Sequence, residues 1–149
     1  MTRYTRLASP ANLSVADLAE ARDFYAGFLG LRVEGFNLGW VVNLQSPDGR
    51  AVLQLVTRDA TSPVDSVISV HVGDEVEAAY EEAQRHGLKI AHPLTTEPWG
   101  VRRFLVRAPD GNVINIVNHE DEDAYSHKPR RQRSTAAGAK ARNEGCGVT

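Results

Sequence analysis

The chain has 149 residues, 42% of them hydrophobic and 24% charged, with a net charge of −2. That composition fits one ordinary globular domain. No apolar run reaches the length of a membrane span, Met1-Thr2-Arg3-Tyr4 opens nothing like a secretory signal, and the single cysteine, Cys146, excludes an intrachain disulfide. The expectation is a cytoplasmic protein. Charge is unevenly placed: Lys128, Arg130, Arg131, Arg133, Lys140 and Arg142 face only Glu144, so residues 124–149 carry +5 and the remainder −7. An acidic body argues against nucleic-acid binding, which asks for a basic face.

In chain order, residues 1–8 read as a lead-in and Ser9 to Val15 as a short strand, with Pro10 at its start, where no ladder donor is needed. Asp17 followed by Glu20 is a D-x-x-E form of the capping box, so a helix starts there. Leu18, Ala21, Tyr25 and Phe28 make one helical stripe, and Gly30 ends the helix. Phe36 falls in a glycine-flanked loop. Leu31 to Val33, Gly39 to Gln45 and Arg50 to Val56 supply three further strands.

Residues 58–64, mostly polar and carrying Pro63, read as a linker. The order then repeats. Val67 to Val72 is a strand, Asp74 with Glu77 caps a helix reaching His86, and Gly87 stops it. Lys89 to His92, Arg102 to Arg107 and Asn112 to Val117 are the last strands, after which Glu120 to Asp123 leaves the sheet. Residues 120–149 read as a disordered basic tail of Ser, Ala, Gly, Lys and Arg.

The repetition is one of wording as well as order. Pro47-Asp48-Gly49 and Pro109-Asp110-Gly111 each place a turn before a Val/Ile/Leu-rich strand, and the pairs Asp17/Asp74 and Gly30/Gly87 are both 57 residues apart. Two βαβββ modules, 9–57 and 65–119, predict an α+β fold with a curled mixed sheet.

Alternate strand residues separate two faces. One, including Val42, Leu44, Leu55, Val70, Val72, Phe104 and Ile116, is wholly apolar and must pack against the helices. The other mixes Asn12, Asn43, Gln54, Ser69, His71, Arg103 and Asn115 with aliphatics. A solvated face would carry more Lys and Glu, and a second core fewer amides. The mixture suits the lining of a small-molecule cavity.

The residues Asp17-Leu18, Asp23-Phe24-Tyr25, Leu29-Gly30-Leu31, Ala79-Tyr80, Gly87-Leu88 and Arg107-Ala108-Pro109-Asp110-Gly111-Asn112 make the chain from Asn12 to Asn118 similar to the vicinal oxygen chelate superfamily of glyoxalase I, extradiol dioxygenases and bleomycin-resistance proteins. The resemblance implies a sheet that encloses the site, commonly in a homodimer. It also implies metal ligands on the first and last strand of each module. Spacing puts those positions at Pro10, Gln54, Val67 and Asn115, with a register uncertain by one or two residues that brings Asn12, Ser69 or His71 into reach. None offers a carboxylate, so the expected site holds no metal and no other cofactor.

The expected ligand-binding set is Asn12, Phe36, Trp40, Asn43, Gln54, Ser69, His71, Trp99, Arg103 and Asn115. Trp40 and Trp99 either stack on a planar ligand or pack over the rim. Arg103 pairs with a ligand anion or with a dimer or surface carboxylate. His71 is a lining residue or, in an enzyme, a general base. Phe36 closes the mouth. The leading expectation is a metal-independent protein that binds, and sequesters, an aromatic or antibiotic-like molecule. The alternative is a metal-dependent lyase, isomerase or dioxygenase.

Overall fold

Both Pro-Asp-Gly segments form tight turns for the same local reason. In the first, the Gly49 amide donates to the Ser46 carbonyl at 2.8 Å, while Asp48 Oδ1 accepts from the Arg50 amide at 3.1 Å. In the second, Gly111 donates to Ala108 at 2.9 Å and Asp110 Oδ1 accepts from Asn112 at 2.9 Å. Gly49 and Gly111 sit at φ of 69° and 91°, the left-handed region a side chain disfavours. Each turn launches the strand that ends its module.

A computed structural model describes residues 10–119. The first module comprises β1 (Ala11–Ser14), α1 (Leu18–Arg22), a π-helical turn (Asp23–Phe28), β2 (Val33–Asn37), β3 (Val41–Gln45) and β4 (Val52–Val56). The second comprises β5 (Ile68–His71), a 3-10 turn (Gly73–Glu75), α2 (Val76–Arg85), β6 (Lys89–Thr96), β7 (Val101–Arg107) and β8 (Val113–His119). Thus βαβββ occurs twice, with several boundaries shifted by one to four residues. The expected lead-in, the acidic run after His119, the basic tail and Cys146 lie outside the described residues. No helix among the described residues is long and apolar enough to cross a membrane.

All eight strands form one mixed sheet in the order β2-β3-β4-β1-β5-β8-β7-β6. β1 runs parallel to β4 and β5 parallel to β8, and the modules join through antiparallel β1 and β5. At that seam the Asn12 amide donates to the Val67 carbonyl at 2.9 Å, and the Ser69 amide to the Pro10 carbonyl at 3.1 Å. The two modules therefore pair within one chain.

One face of the sheet is apolar, as the alternation predicts, and the helices cover it in two clusters. Val42, Leu44 and Leu55 pack with Leu18, Ala21 and Tyr25 of the first helical segment. Val72 and Phe104 pack with Val76, Ala79 and Ala83 of α2. Asp17 caps α1 as expected, its carboxylate accepting from the Glu20 amide at 3.0 Å. The matching box in the second module does not form: Glu75 occupies the cap position and its side chain makes no capping hydrogen bond to the helix, and Glu77 turns instead to Arg102.

The Leu18-Ala21-Tyr25-Phe28 stripe breaks at its last member. The Leu29 amide reaches back to the Phe24 carbonyl, a five-residue step that widens the helix and rotates its last residues. Phe28 is consequently 77% exposed and stacks on exposed Phe24 at 5.4 Å rather than joining the core.

Phe36 lies in β2 and not in a loop. The register against β3 slips between Glu34 and Phe36, so Gly35 is the extra residue of a β-bulge. A Cβ at Gly35 would fall 2.4 Å from Asn43 Oδ1 and 3.0 Å from Gln45 Nε2, which are themselves hydrogen-bonded at 2.9 Å. Gly35→Ala is expected to cost about 1–3 kcal/mol as an overpacking change. Urea denaturation checks this, and wild-type stability in the variant would remove the steric argument.

Candidate functional site

Two hairpin tips carry the tryptophans. Trp40 follows Gly39 at the β2–β3 turn, where its carbonyl is held by the Thr57 amide and hydroxyl at 2.9 and 3.2 Å. Trp99 lies in the β6–β7 turn, closed by the Gly100 amide donating to Glu97 at 3.0 Å. The two indoles meet edge to face with centroids 5.3 Å apart. Yet β3 and β7 are five strand spacings apart in the sheet, about 24 Å if it were flat. Only a strongly curled sheet brings them together, and the hollow of that curl is a cavity of about 260 Å³.

Eight of the ten residues expected to bind ligand line this cavity: Asn12, Phe36, Trp40, Gln54, Ser69, Trp99, Arg103 and Asn115. Asn43 and His71 do not. Asn43 is fully buried against the Gly35 bulge and the Gln45 side chain. His71 is 2% exposed, its ring stacked 4.6 Å from that of His119 and tilted only 6° from it. Burial, and then the neighbouring His119, pushes the His71 imidazole down to about 3. A buried imidazole that weakly basic is a poor general base, and although it shares the sheet face of Ser69 it is the His119 ring stacked on it that lines the cavity.

The floor of the cavity is a row of neutral polar side chains across the four central strands. Asn12 pairs with Gln54 between β1 and β4, and Ser69 with Asn115 between β5 and β8. This register replaces the expected Pro10 and Val67 by Asn12 and Ser69 as the first-strand positions. Asn12 Nδ2 donates to the hydroxyls of Ser66 and Ser69 at 2.8 and 3.1 Å, and Asn115 Nδ2 donates to Ser69 Oγ at 3.0 Å. Asn115 Oδ1 is buried without a partner among the described residues. Gln54, 5% exposed, also presents its amide to the cavity with no hydrogen-bonding partner among them.

Three amides and a hydroxyl do not suit a divalent metal. The set contains no imidazole or carboxylate, and Asn12, Ser69 and Asn115 are already engaged with one another. Among the described residues, no group of three His, Cys, Asp or Glu is placed to hold a metal ion.

Arg103 is neither a surface residue nor an open anion receptor. It is 3% exposed, forms a fork with both oxygens of Asp59 at 2.7 Å, and donates through Nε to Glu97 Oε1 at 2.9 Å and through Nη2 to Thr61 Oγ1 at 2.9 Å. His92 Nε2 completes the group at 2.9 Å from Glu97, and Trp99 lies over the guanidinium at 5.2 Å. Burial alone would raise the Asp59 carboxyl, but the Arg103 hydrogen bonds and the Ser62 and Thr61 amides hold it below its ordinary value. Glu97 is lowered in the same way, burial being outweighed by Arg103, His92 and Thr61. Burial opposes the Arg103 charge, and its two carboxylates raise it nonetheless.

Asp59 is hidden in the sequence by its place in the linker. Its only sequence signal is the Asp-Ala-Thr-Ser stretch, in which Asp59 Oδ1 accepts from the amides of Thr61 and Ser62 at 3.0 and 2.9 Å. Leu38, Val41, Val56, Val101 and Val117 add apolar wall, and Asp65 a second acidic group, its carboxylate accepting the Asp59 amide at 2.6 Å.

These ionisable groups set two pH windows. His71 stays neutral in the fold but protonates when unfolded, so stability falls as pH drops from about 6.5. The loss is roughly 2 kcal/mol by pH 5, and His71→Gln should flatten that slope in denaturant titrations. A wild-type slope in the variant would contradict the assignment. Asp59 and Glu97 contribute stability that is present above the ordinary carboxylate range and lost as pH falls through their lowered values. Arg103→Met strands both carboxylates and should cost about 3–5 kcal/mol at pH 7. It should also reverse the acid effect, so that the variant gains stability from pH 7 to 5 relative to wild type. Parallel pH profiles would show that the cluster is not coupled as drawn.

The Glyoxalase/Bleomycin resistance protein/Dioxygenase superfamily model matches residues 7–116. No curated protein matches the sequence. Among solved structures, methylmalonyl-CoA epimerase from Mycobacterium tuberculosis is similar with a TM-score of 0.58 at 19% identity, over 85% of this chain and 97% of that one. A Legionella pneumophila structure described as NAD-dependent benzaldehyde dehydrogenase gives 0.62 at 17% identity, over 76% and 100%. An uncharacterized protein from Methanosarcina mazei gives 0.55 at 26% identity, over 77% and 94%.

Proposed function

This chain belongs to the Glyoxalase/Bleomycin resistance protein/Dioxygenase superfamily, and we propose that within it the protein is a metal-independent binder that encloses and sequesters a small ring-containing molecule. The observation that carries this reading is the Trp40–Trp99 pair standing beside a floor of neutral amides in a single hollow. Apolar and aromatic walls with a few placed polar groups are what small-molecule sites offer. At about 260 Å³ the hollow suits a ligand of one or two fused rings, or such a ring system within an antibiotic-like molecule, rather than a large glycopeptide. A homodimer, common in this superfamily, is part of the proposal.

Tryptophan fluorescence titrations against a panel of small aromatic compounds, with metal analysis of the purified protein, test it. Saturable quenching without turnover is expected, weakened about 10-fold by Trp99→Ala. Stoichiometric zinc, iron, manganese or nickel, or conversion of a bound compound, would overturn the reading.

A further inference from the structure

The binding proposal leaves open which chemistry the hollow selects, and two features of its wall narrow the choice. The first is the Gln54 amide, which lines the cavity at one end of the floor with no side-chain hydrogen bond among the described residues. Gln54, 5% exposed, carries a donor and an acceptor side by side, whereas Asn115 Oδ1, at the other end of the floor, is itself closed off from the cavity. Polar groups so placed are almost always hydrogen-bonded, so Gln54, unlike Asn115, is matched by a ligand edge that offers both a donor and an acceptor. Between them, Ser69 Oγ receives Asn12 and Asn115, while its own hydroxyl has only a 3.5 Å contact with Asn12 Oδ1.

The second feature is the charge of the wall. Arg103 is spent on Asp59 and Glu97, and Asp59 and Asp65 both border the cavity. A ligand carboxylate or phosphate would meet acidic groups and a cation already occupied on both edges. An ammonium can meet Asp65 but has no acceptor to offer the Gln54 amide donor.

Resting on the binding reading, we infer that the site selects an uncharged planar ring bearing cyclic-amide N–H and C=O groups, a lactam or imide edge. The ring lies against the tryptophans, its N–H directed to Gln54 Oε1 and its C=O to Gln54 Nε2, the adjacent acceptor and donor of one primary amide. Gln54, at one of the positions where the family resemblance implies a metal ligand, then serves as a hydrogen-bond reader.

The test is a matched bicyclic series measured by ligand-observed NMR: 2-quinolinone, naphthalene, 2-naphthoate and 2-naphthylmethylamine. The lactam should bind about 10-fold tighter than the hydrocarbon, a factor set by one or two satisfied buried groups, and tighter still than the carboxylate. Gln54→Met, close in volume, should reduce the lactam-to-naphthalene ratio about 3- to 10-fold, with circular dichroism confirming the fold. Equal binding of lactam and hydrocarbon, or tighter binding of the carboxylate or amine, overturns the selectivity while leaving a binding protein. An unchanged ratio in the folded Gln54→Met protein removes Gln54 as reader and the inference with it. Failure of all four compounds overturns both.

Discussion

The curl of the sheet depends on a constraint located away from the hydrogen-bond ladders. A mixed eight-stranded sheet twists freely, but nothing in its backbone obliges the β6–β7 hairpin to approach the linker after β4. Arg103 supplies that obligation: it projects from β7 and is forked onto Asp59, a residue of the linker. Asp59 is itself fixed by its own loop amides and by Asp65. Buried ion pairs are seldom net stabilising against an apolar alternative, because desolvation consumes most of the attraction. Their value here is geometric, since a fork admits one orientation where apolar surface admits many. With that wall set, Trp99 is held by the guanidinium beneath it and meets Trp40 across the hollow.

The same constraint governs the chemistry of the cavity. A guanidinium lining a pocket ordinarily suggests an anionic ligand, but the donors of Arg103 are already used by carboxylates of the same chain. Of the neutral groups of the floor, which sit at the register positions that join first and last strands in each module, Gln54 remains available. An oxygen-rich metal site would need its ligands deprotonated and free to converge. The floor has instead tied Asn12, Ser69 and Asn115 into a chain of hydrogen bonds.

How far this fold and site are legible in the sequence depends on the range of each interaction. Turn chemistry is local, so Pro47-Asp48-Gly49 and Pro109-Asp110-Gly111 announce themselves, as does the Asp17 cap. Alternation is nearly local, and it separates the apolar face from the lining without any tertiary contact. The failures are of another kind. Phe28 leaves its stripe because a π-turn inserts a residue into the helical period, an event with no composition signature. Gly35 reads as loop punctuation but is a bulge that buries Asn43, so alternation wrongly assigns that residue to the lining. Asp59 and Arg103 are 44 residues apart, and a linker aspartate gives no sign of which cation it will find.

Duplication with divergence makes the hollow asymmetric. The strand registers equate Val41 with Arg103, since Val41 faces Val56 on β4 and Arg103 faces Val117 on β8. On the first module this wall position is aliphatic, continuous with Val56 and Leu38. On the second it is an arginine locked between two acids. A pair of identical modules would enclose a symmetric cavity with no preferred direction. Here the pseudo-twofold survives in the floor, where Gln54 matches Asn115, but is broken at the walls, apolar on one side and ionic on the other. The symmetric elements supply shape and hydrogen-bond capacity, and the broken position supplies polarity along the cavity. On the proposed binding reading, a flat ligand with one apolar edge and one polar edge has a single favourable way to lie between them.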